Sequence, residues 1–490
     1  KKQISSKPVK VINEINQNLK VWQEESEKSE DLEKIPLLSL HDLNPQAATY
    51  PTESEVWKEF TLLKHAVNAN GIVYLKAYFD LLHAEEEDLP WINLYTDLVD
   101  WLNSKSYGYA QRSNEINTHT GGISLSLELF NNYQTPDDIL PKLVLSGKAV
   151  KGKAGKLMEL AAEYALNPLF DEPERLKTLI RELKARTELN LMHSGVKIAV
   201  TRMMSPLSQL YHWKDLTGGL GYYQFICELA DKLDNAIEEI IEDLEWVRKT
   251  FFTSHNLIIS LTGEAEDIPV AFAELGQLLA SVSQEAYAPV ENHYAIRNFN
   301  EGIYAPVQVQ ACVKGGNFFR KGYSYSGKLR VLNSIIGNTF LYQEIRVKGG
   351  AYGSYSSFTP GGYQYFYSYS DPNLRETLGV YNSVPDFLRN FDCSRREMDK
   401  YIIGEISSLD YPKTPDEIGS IADEYFITGF TQEDRQQIRD EVLATKVEDI
   451  RAYADIVEAI MSKDHYAVFG SEEKIKEAAE LFDEVNPAFK

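Results

Sequence analysis

Cysteine is scarce in this chain: Cys227, Cys312 and Cys393 are the only three in 490 residues, and they stand far apart with no CxxC pair. That spacing excludes a disulfide framework and a cysteine-built zinc site. It fits a reducing compartment, cytoplasm in a bacterium or an organelle matrix in a eukaryote. Basic residues are in deficit as well, since 50 Lys and Arg against 73 Asp and Glu leave a formal net charge of −23. A phosphate-backbone partner selects for clustered cations, so nucleic acid is excluded as a partner. No apolar run approaches the roughly 18 residues that span a bilayer, and the first twenty residues are polar rather than signal-like, so no membrane partner is expected. Nucleophile and phosphate signatures are missing too: there is no GxSxG and no GxxxxGK[ST].

What is present exceeds one core, because 490 residues with 43% hydrophobic content call for two or three domains. The opening "KKQISSKPVKVINEINQNLKVWQEE" has the spacing of an amphipathic helix with nothing upstream to pack on, which reads as a piece of a longer chain. Residues 26–55, rich in acids and carrying Pro36, Pro45 and Pro51, read as a linker. From Gly71 the period changes to two, with Val73, Leu75, Ala77, Phe79 and Leu81 on one face of a predicted strand. A helix starting near Asp88 and Pro90 follows, then the alternating strand "GGISLSLELF", a long helical stretch from about Leu140 to Val247, and the strand "NLIISLTG". The same order then recurs: a strand in "APVQVQACVKGG", a helix through "GKLRVLNSIIGNTFLYQEIRVKGG", the strand "GGYQYFYSYS", helices to about Met461, the strand "HYAVFG" and a closing helix. Gly121-Gly122 and Gly361-Gly362 are read as opening equivalent strands of an internal duplication. The expected fold is α+β: a helical linker over residues 1–55, then two homologous domains, 56–288 and 289–490, each a mostly antiparallel sheet packed with helices.

The stretch "HAEEE", His83 to Glu87, is one residue from the inverted zinc-peptidase signature HxxEH. Such a site needs its ligands on one helical face. His83 precedes Pro90, so the helix begins too late to carry it, and Glu87, Glu159 and Glu163 are ordinary finds in a chain this acidic. HAEEE reads as a solvated acidic turn at a helix start. The other histidines show neither HxxEH nor HxxxH spacing, so no metal site is expected in this chain.

The segment "QEIRVKGGAYGSYSSFTPGGYQYFYSY" carries the chemistry. Arg346 falls at a helix end, Gly349, Gly350 and Gly353 permit unusual backbone angles, and Tyr352 is held between them. A permanent cation beside a phenolic donor can stabilise an oxyanion. A helix C-terminus with a helpful Arg, and a Tyr packed on a sheet, give the same letters.

Beyond this, "EIRVKGGAYGSYSS" followed by "GGYQYFYSYSDPN" resembles the fourth domain of the pitrilysin/insulinase-type zinc metallopeptidases, in the presequence-protease branch. "QRSNEINTHTGGISLSLE" and "GVKIAVTRMMSPLSQLYHWKDLTGGLGYYQF" extend the resemblance over the whole chain, with the opening helix similar to the end of the hairpin that joins the two halves of those enzymes. The resemblance implies a C-terminal half, whose two domains are the family's third and fourth and form half of a two-lobed chamber. It implies that Zn2+ is bound by an N-terminal half, of the same chain or a separate subunit, and not by this one. It further implies that Arg346 and Tyr352 reach the scissile carbonyl of an unfolded peptide substrate, with Gly349 and Gly350 letting the peptide approach. Tyr363, Tyr365, Tyr367 and Tyr369 would line or support the wall. The alternative is a non-catalytic partner or scaffold subunit of the same fold.

Overall fold

The structure, a computed structural model, describes residues 6–24, 34–36, 38–57, 60–292, 294–463 and 465–489. Two compact units separate after Asn44. The first contains the expected opening helix, Ser6–Glu24, on which Val11, Ile12, Ile15, Leu19 and Trp22 recur at helical spacing and are exposed. Much of the predicted linker, residues 25–33 and 37, lies outside the described residues.

The second unit holds two six-stranded sheets. In the first, β1 (Glu53–Trp57), β2 (Phe60–Ala66), β3 (Ile72–Asp80), β5 (Ile123–Asn131), β6 (Ile139–Val150) and β8 (Ile258–Gly263) are ordered β1-β2-β8-β3-β6-β5. All its pairings are antiparallel except β2 with β8. The short β4 (Asn103–Ser104) and β7 (Pro168–Leu169) pair separately. Val73, Leu75, Ala77 and Phe79 are at most 1% exposed, which is the alternation visible in the sequence. They pack with the helices Leu89–Leu98, Ala154–Ala165 and Leu220–Thr250 in one core.

One element corrects the sequence reading. Residues Ile139–Val150, assigned above to a helical stretch, form a long strand between β3 and β5. Its run from Pro141 to Leu145 is buried on both faces, so the period-two signal that marks a half-buried strand is absent.

In the second sheet, β9 (Glu301–Ala305), β10 (Ala311–Asn317), β11 (Gly353–Phe358), β12 (Tyr363–Tyr369), β13 (Tyr466–Ser471) and β14 (Glu484–Pro487) are ordered β11-β12-β10-β13-β9-β14. Five places repeat β5-β6-β3-β8-β2, with β13 parallel to β9 as β8 is to β2, while at the sixth β14 runs parallel to β9 where β1 runs antiparallel to β2. The α+β duplication is therefore present. The pairing of glycines changes: β5 corresponds to β11, so Gly121-Gly122, directly before β5, falls at the place of the loop that carries Gly349, Gly350 and Gly353, not at Gly361-Gly362, which precedes the counterpart of β6. The chain also ends on a strand, β14, after the short helix Glu472–Glu477, where a closing helix was expected.

The two sheets exchange cover. The helix Gly195–Met204 packs on β10, β12 and β13, in a core with Ile303, Val313 and Phe469. The helix Pro415–Thr428 packs on β2, β5 and β8 of the first sheet. It comes so close that a Cβ at Gly419 would lie 2.1 Å from Thr262 Oγ1. Buried polar contacts pin both crossings. Arg202 donates from Nε and Nη2 to Glu301 at 2.7 and 3.0 Å and from Nη1 to Asp215 at 2.9 Å. On the other side Asp423 accepts from Tyr78 at 2.9 Å and bonds His65 Nε2 at 2.8 Å. Arg202→Met leaves two buried carboxylates unpaired and is expected to cost about 3–5 kcal/mol. Urea unfolding followed by tryptophan fluorescence measures it; an unmoved midpoint would assign the clamp no weight.

Candidate active site

The helix Lys328–Ile335 continues as a π-helix, Ile336–Lys348, and the wider turn carries Arg346 to its end. Gly350, at φ +80°, reverses the chain in a conformation that disfavours any side chain. Its N–H donates to the Arg346 carbonyl at 3.0 Å and that of Ala351 to Ile345 at 3.1 Å, so the helix end is closed by the loop's own backbone. Asn373 Nδ2 donates to the Gly349 carbonyl at 2.7 Å, and Tyr352 N–H to Ser370 at 3.3 Å, tying the loop to the far end of β12.

On this frame Arg346 and Tyr352 stand side by side, the guanidinium carbon 5.5 Å from the Tyr352 ring and 5.6 Å from that of Tyr342. Tyr352 is 64% exposed. The nearest acid on the same helix, Glu344, is taken by Lys348 at 2.6 Å. Among the described residues Arg346 has no carboxylate partner and the Tyr352 hydroxyl no hydrogen bond. The structure thus brings together all four residues singled out in the sequence, Arg346, Gly349, Gly350 and Tyr352.

From Tyr352 a file of rings runs down the sheet. Tyr352 meets Tyr369 at 5.4 Å, Tyr369 meets Tyr355 at 6.1 Å, Tyr355 meets Tyr367 at 5.5 Å and Tyr367 meets Tyr365 at 6.1 Å. Tyr363 differs from the other three on its strand. It is buried, donates to Ser208 Oγ at 2.6 Å and packs edge-on against Tyr211, which makes it a packing residue. Sequence reasoning misses Tyr355 and Tyr211; Tyr211 comes from a helix some 150 residues earlier, and only the fold puts it there.

The loop before β5, residues 117–122, holds the place of the loop before β11 and contains neither Arg nor Tyr. Only one copy bears the cation and the phenol.

HAEEE resolves as packing. His83 is sandwiched between Phe251 and Tyr287, at 5.0 and 4.9 Å, and Nε2 donates to the Thr250 carbonyl at 3.2 Å. Burial pushes its imidazole below the usual range, ahead of the opposing effects of Thr250 and Asp80. Glu86 accepts from His212 at 2.8 Å, Glu159 from Tyr107 and Lys156, and Glu163 from Ser106. These residues do not fit zinc, and among the described residues no three His, Cys, Asp or Glu side chains converge as metal ligands.

Two family models match the sequence: the associated domain of peptidase family M16, subfamily C, over residues 1–229, and the PreP C-terminal domain over residues 300–470. The chain belongs to the M16 peptidase family, as a C-terminal half of the presequence-protease type. Protein HypA of Clostridium perfringens is 35% identical to this M16 half over 98% of the chain and 50% of its own length. Presequence protease 1, chloroplastic/mitochondrial, of Arabidopsis thaliana is 30% identical over 94% of the chain and 43% of its own. The M16 half thus spans about half the length of the curated relatives it matches. In fold it resembles a peptidase M16 inactive domain from Pseudomonas fluorescens, with a TM-score of 0.61 at 15% identity over 86% of this chain and 98% of that one.

His83→Ala is expected to lower unfolding stability by about 1–2 kcal/mol, through the lost ring contacts and hydrogen bond. Calorimetric zinc titration should be the same for both proteins. Zinc binding that disappears with His83 would restore the metal reading.

Proposed function

We propose that this chain is the C-terminal lobe of a zinc metalloendopeptidase that degrades unfolded peptides in an enclosed chamber, and that it is inactive alone. Its share of the chemistry is the scissile carbonyl. Tyr352 donates its phenolic hydrogen to the carbonyl oxygen, and Arg346 supplies a fixed positive charge as that oxygen becomes negative. Gly349 and Gly350 keep the loop free of side chains where the peptide backbone approaches. Zinc, which activates the attacking water, belongs with the general base to an N-terminal half, on the same polypeptide or a separate subunit.

One observation carries this reading: an exposed Arg and Tyr, adjacent and without a partner among the described residues, on a loop whose backbone is fixed at both ends. A scaffold subunit has no use for that pair. The duplicated loop illustrates the alternative, since residues 117–122 satisfy the same fold without an Arg or a Tyr.

The test is peptide cleavage by the complete enzyme, this lobe combined with its zinc-bearing half. Tyr352→Phe and Arg346→Ala are each expected to lower kcat/KM by about 10²-fold or more, the effect of removing one oxyanion donor. Zinc content should not change. Near wild-type turnover in both variants would sink the assignment.

A further inference from the structure

A cavity of about 710 Å³ opens between the tyrosine face of β12 and two helices, Gly195–Met204 and Gln209–Leu216, with Tyr365 and Tyr367 on one wall and Lys197, Tyr211 and Lys214 on the other. A second, of about 340 Å³, shares Tyr211 and Lys214 with it and continues between Phe130 and Tyr425. Tyr211 and Lys214 stand between the two and line both.

Lys214 holds its ammonium over the Tyr211 ring, 5.0 Å from the centroid. Among the described residues neither Lys214 nor Lys197 has a carboxylate within ion-pair distance, in a chain with 73 acids. Desolvation by the groove walls depresses the Lys214 ammonium below its usual range, and the Lys197 charge adds to the effect. An anion placed between the two would relieve both costs. Glu424, which lines the second cavity, is pushed up by burial and by Glu128, and it pairs with neither lysine.

The file of tyrosine rings connects this groove to Arg346 and Tyr352. Because Lys214 lines both cavities, a peptide laid along the two passes the lysines with its chain rather than ending there. We propose that the groove is a subsite for an acidic side chain of the bound peptide, an Asp or Glu carboxylate seated between Lys197 and Lys214 with the peptide backbone over Tyr365 and Tyr367. The proposal rests on the proposed function for the ligand being a peptide. Tyr369 lies beneath Tyr352, and the step along β12 to Tyr365 is about 13 Å at roughly 3.3 Å per residue, so an extended peptide carries this acid about four to six residues from the cleaved bond.

Binding to the 490-residue chain, read by fluorescence anisotropy, tests it. The probes are end-labelled unfolded peptides with amidated C-termini, identical except for a single Glu or Gln. The Glu peptide is expected to bind about tenfold tighter, the worth of a charge-assisted contact. Lys214→Gln and Lys197→Gln should each remove most of that preference and leave the Gln peptide unaffected, while Lys214→Arg keeps it. Raising the pH through the depressed Lys214 range should erase the preference by discharging the ammonium, with Gln-peptide binding flat. Equal affinities for the two peptides overturn the proposal, as does a preference that survives the double Gln variant. A gain from a free C-terminal carboxylate with no Glu/Gln difference also overturns it, because the site then takes the chain end. Since binding rather than turnover is read, the Glu preference should persist in Tyr352→Phe, and its failure is distinguishable from failure of the carbonyl-binding role.

Discussion

The clamp of Arg202 on Glu301 and Asp215 is the contact on which the rest of the second unit depends. Its three groups come from a helix, the first residue of β9 and the next helix, so one guanidinium fixes three elements at once. Glu301 and Asp215 are each about 4% exposed at the side chain, where an unpaired charge is costly and a forked donor has few acceptable orientations. The clamp therefore acts mainly as a register device. With Gly195–Met204 set on the second sheet and Gln209–Leu216 held through Asp215, Tyr211 and Lys214 have one place to go, against the tyrosines of β12.

Exchange of cover also ties the two copies to each other. Helices borrowed from the other copy cover β2, β5 and β8 in one sheet and β10, β12 and β13 in the other, so a change there disturbs both halves. The loops before β5 and β11 lie at sheet edges. One carries Arg346 and Tyr352, while the other has neither Arg nor Tyr between Asn117 and Gly122.

Legibility in the sequence follows burial on one face. β3, β5 and β12 face a core on one side and something wetter on the other, and their alternation is readable. β6 is buried on both faces over its middle, and Pro141 adds a false breaker, so it reads as helix; that single miss also moves the glycine correspondence by one strand. The Arg346–Tyr352 loop is legible because its parts lie within seven residues and its glycines mark the turn. Lys197, Tyr211 and Lys214 are not, because nothing local distinguishes two lysines and a tyrosine on helices from the solvated face of any helix. Their meaning comes from a strand that begins about 150 residues later.

Two hydrogen-bond and charge donors without a nucleophile or base can lower the energy of a negative oxygen but cannot create one. On the proposed reading, Arg346 and Tyr352 are useful only when another surface delivers the attack, and their exposure is the structural expression of that dependence. The same reasoning gives the tyrosine file its role. On that reading a flat run of half-buried rings would contact any extended chain through dispersion with few directional demands, and would hold a peptide in line without reading its sequence. Discrimination then falls to the few fixed charges along the line. In a lobe of net charge −23, Lys197 and Lys214 stand among them without a carboxylate partner among the described residues.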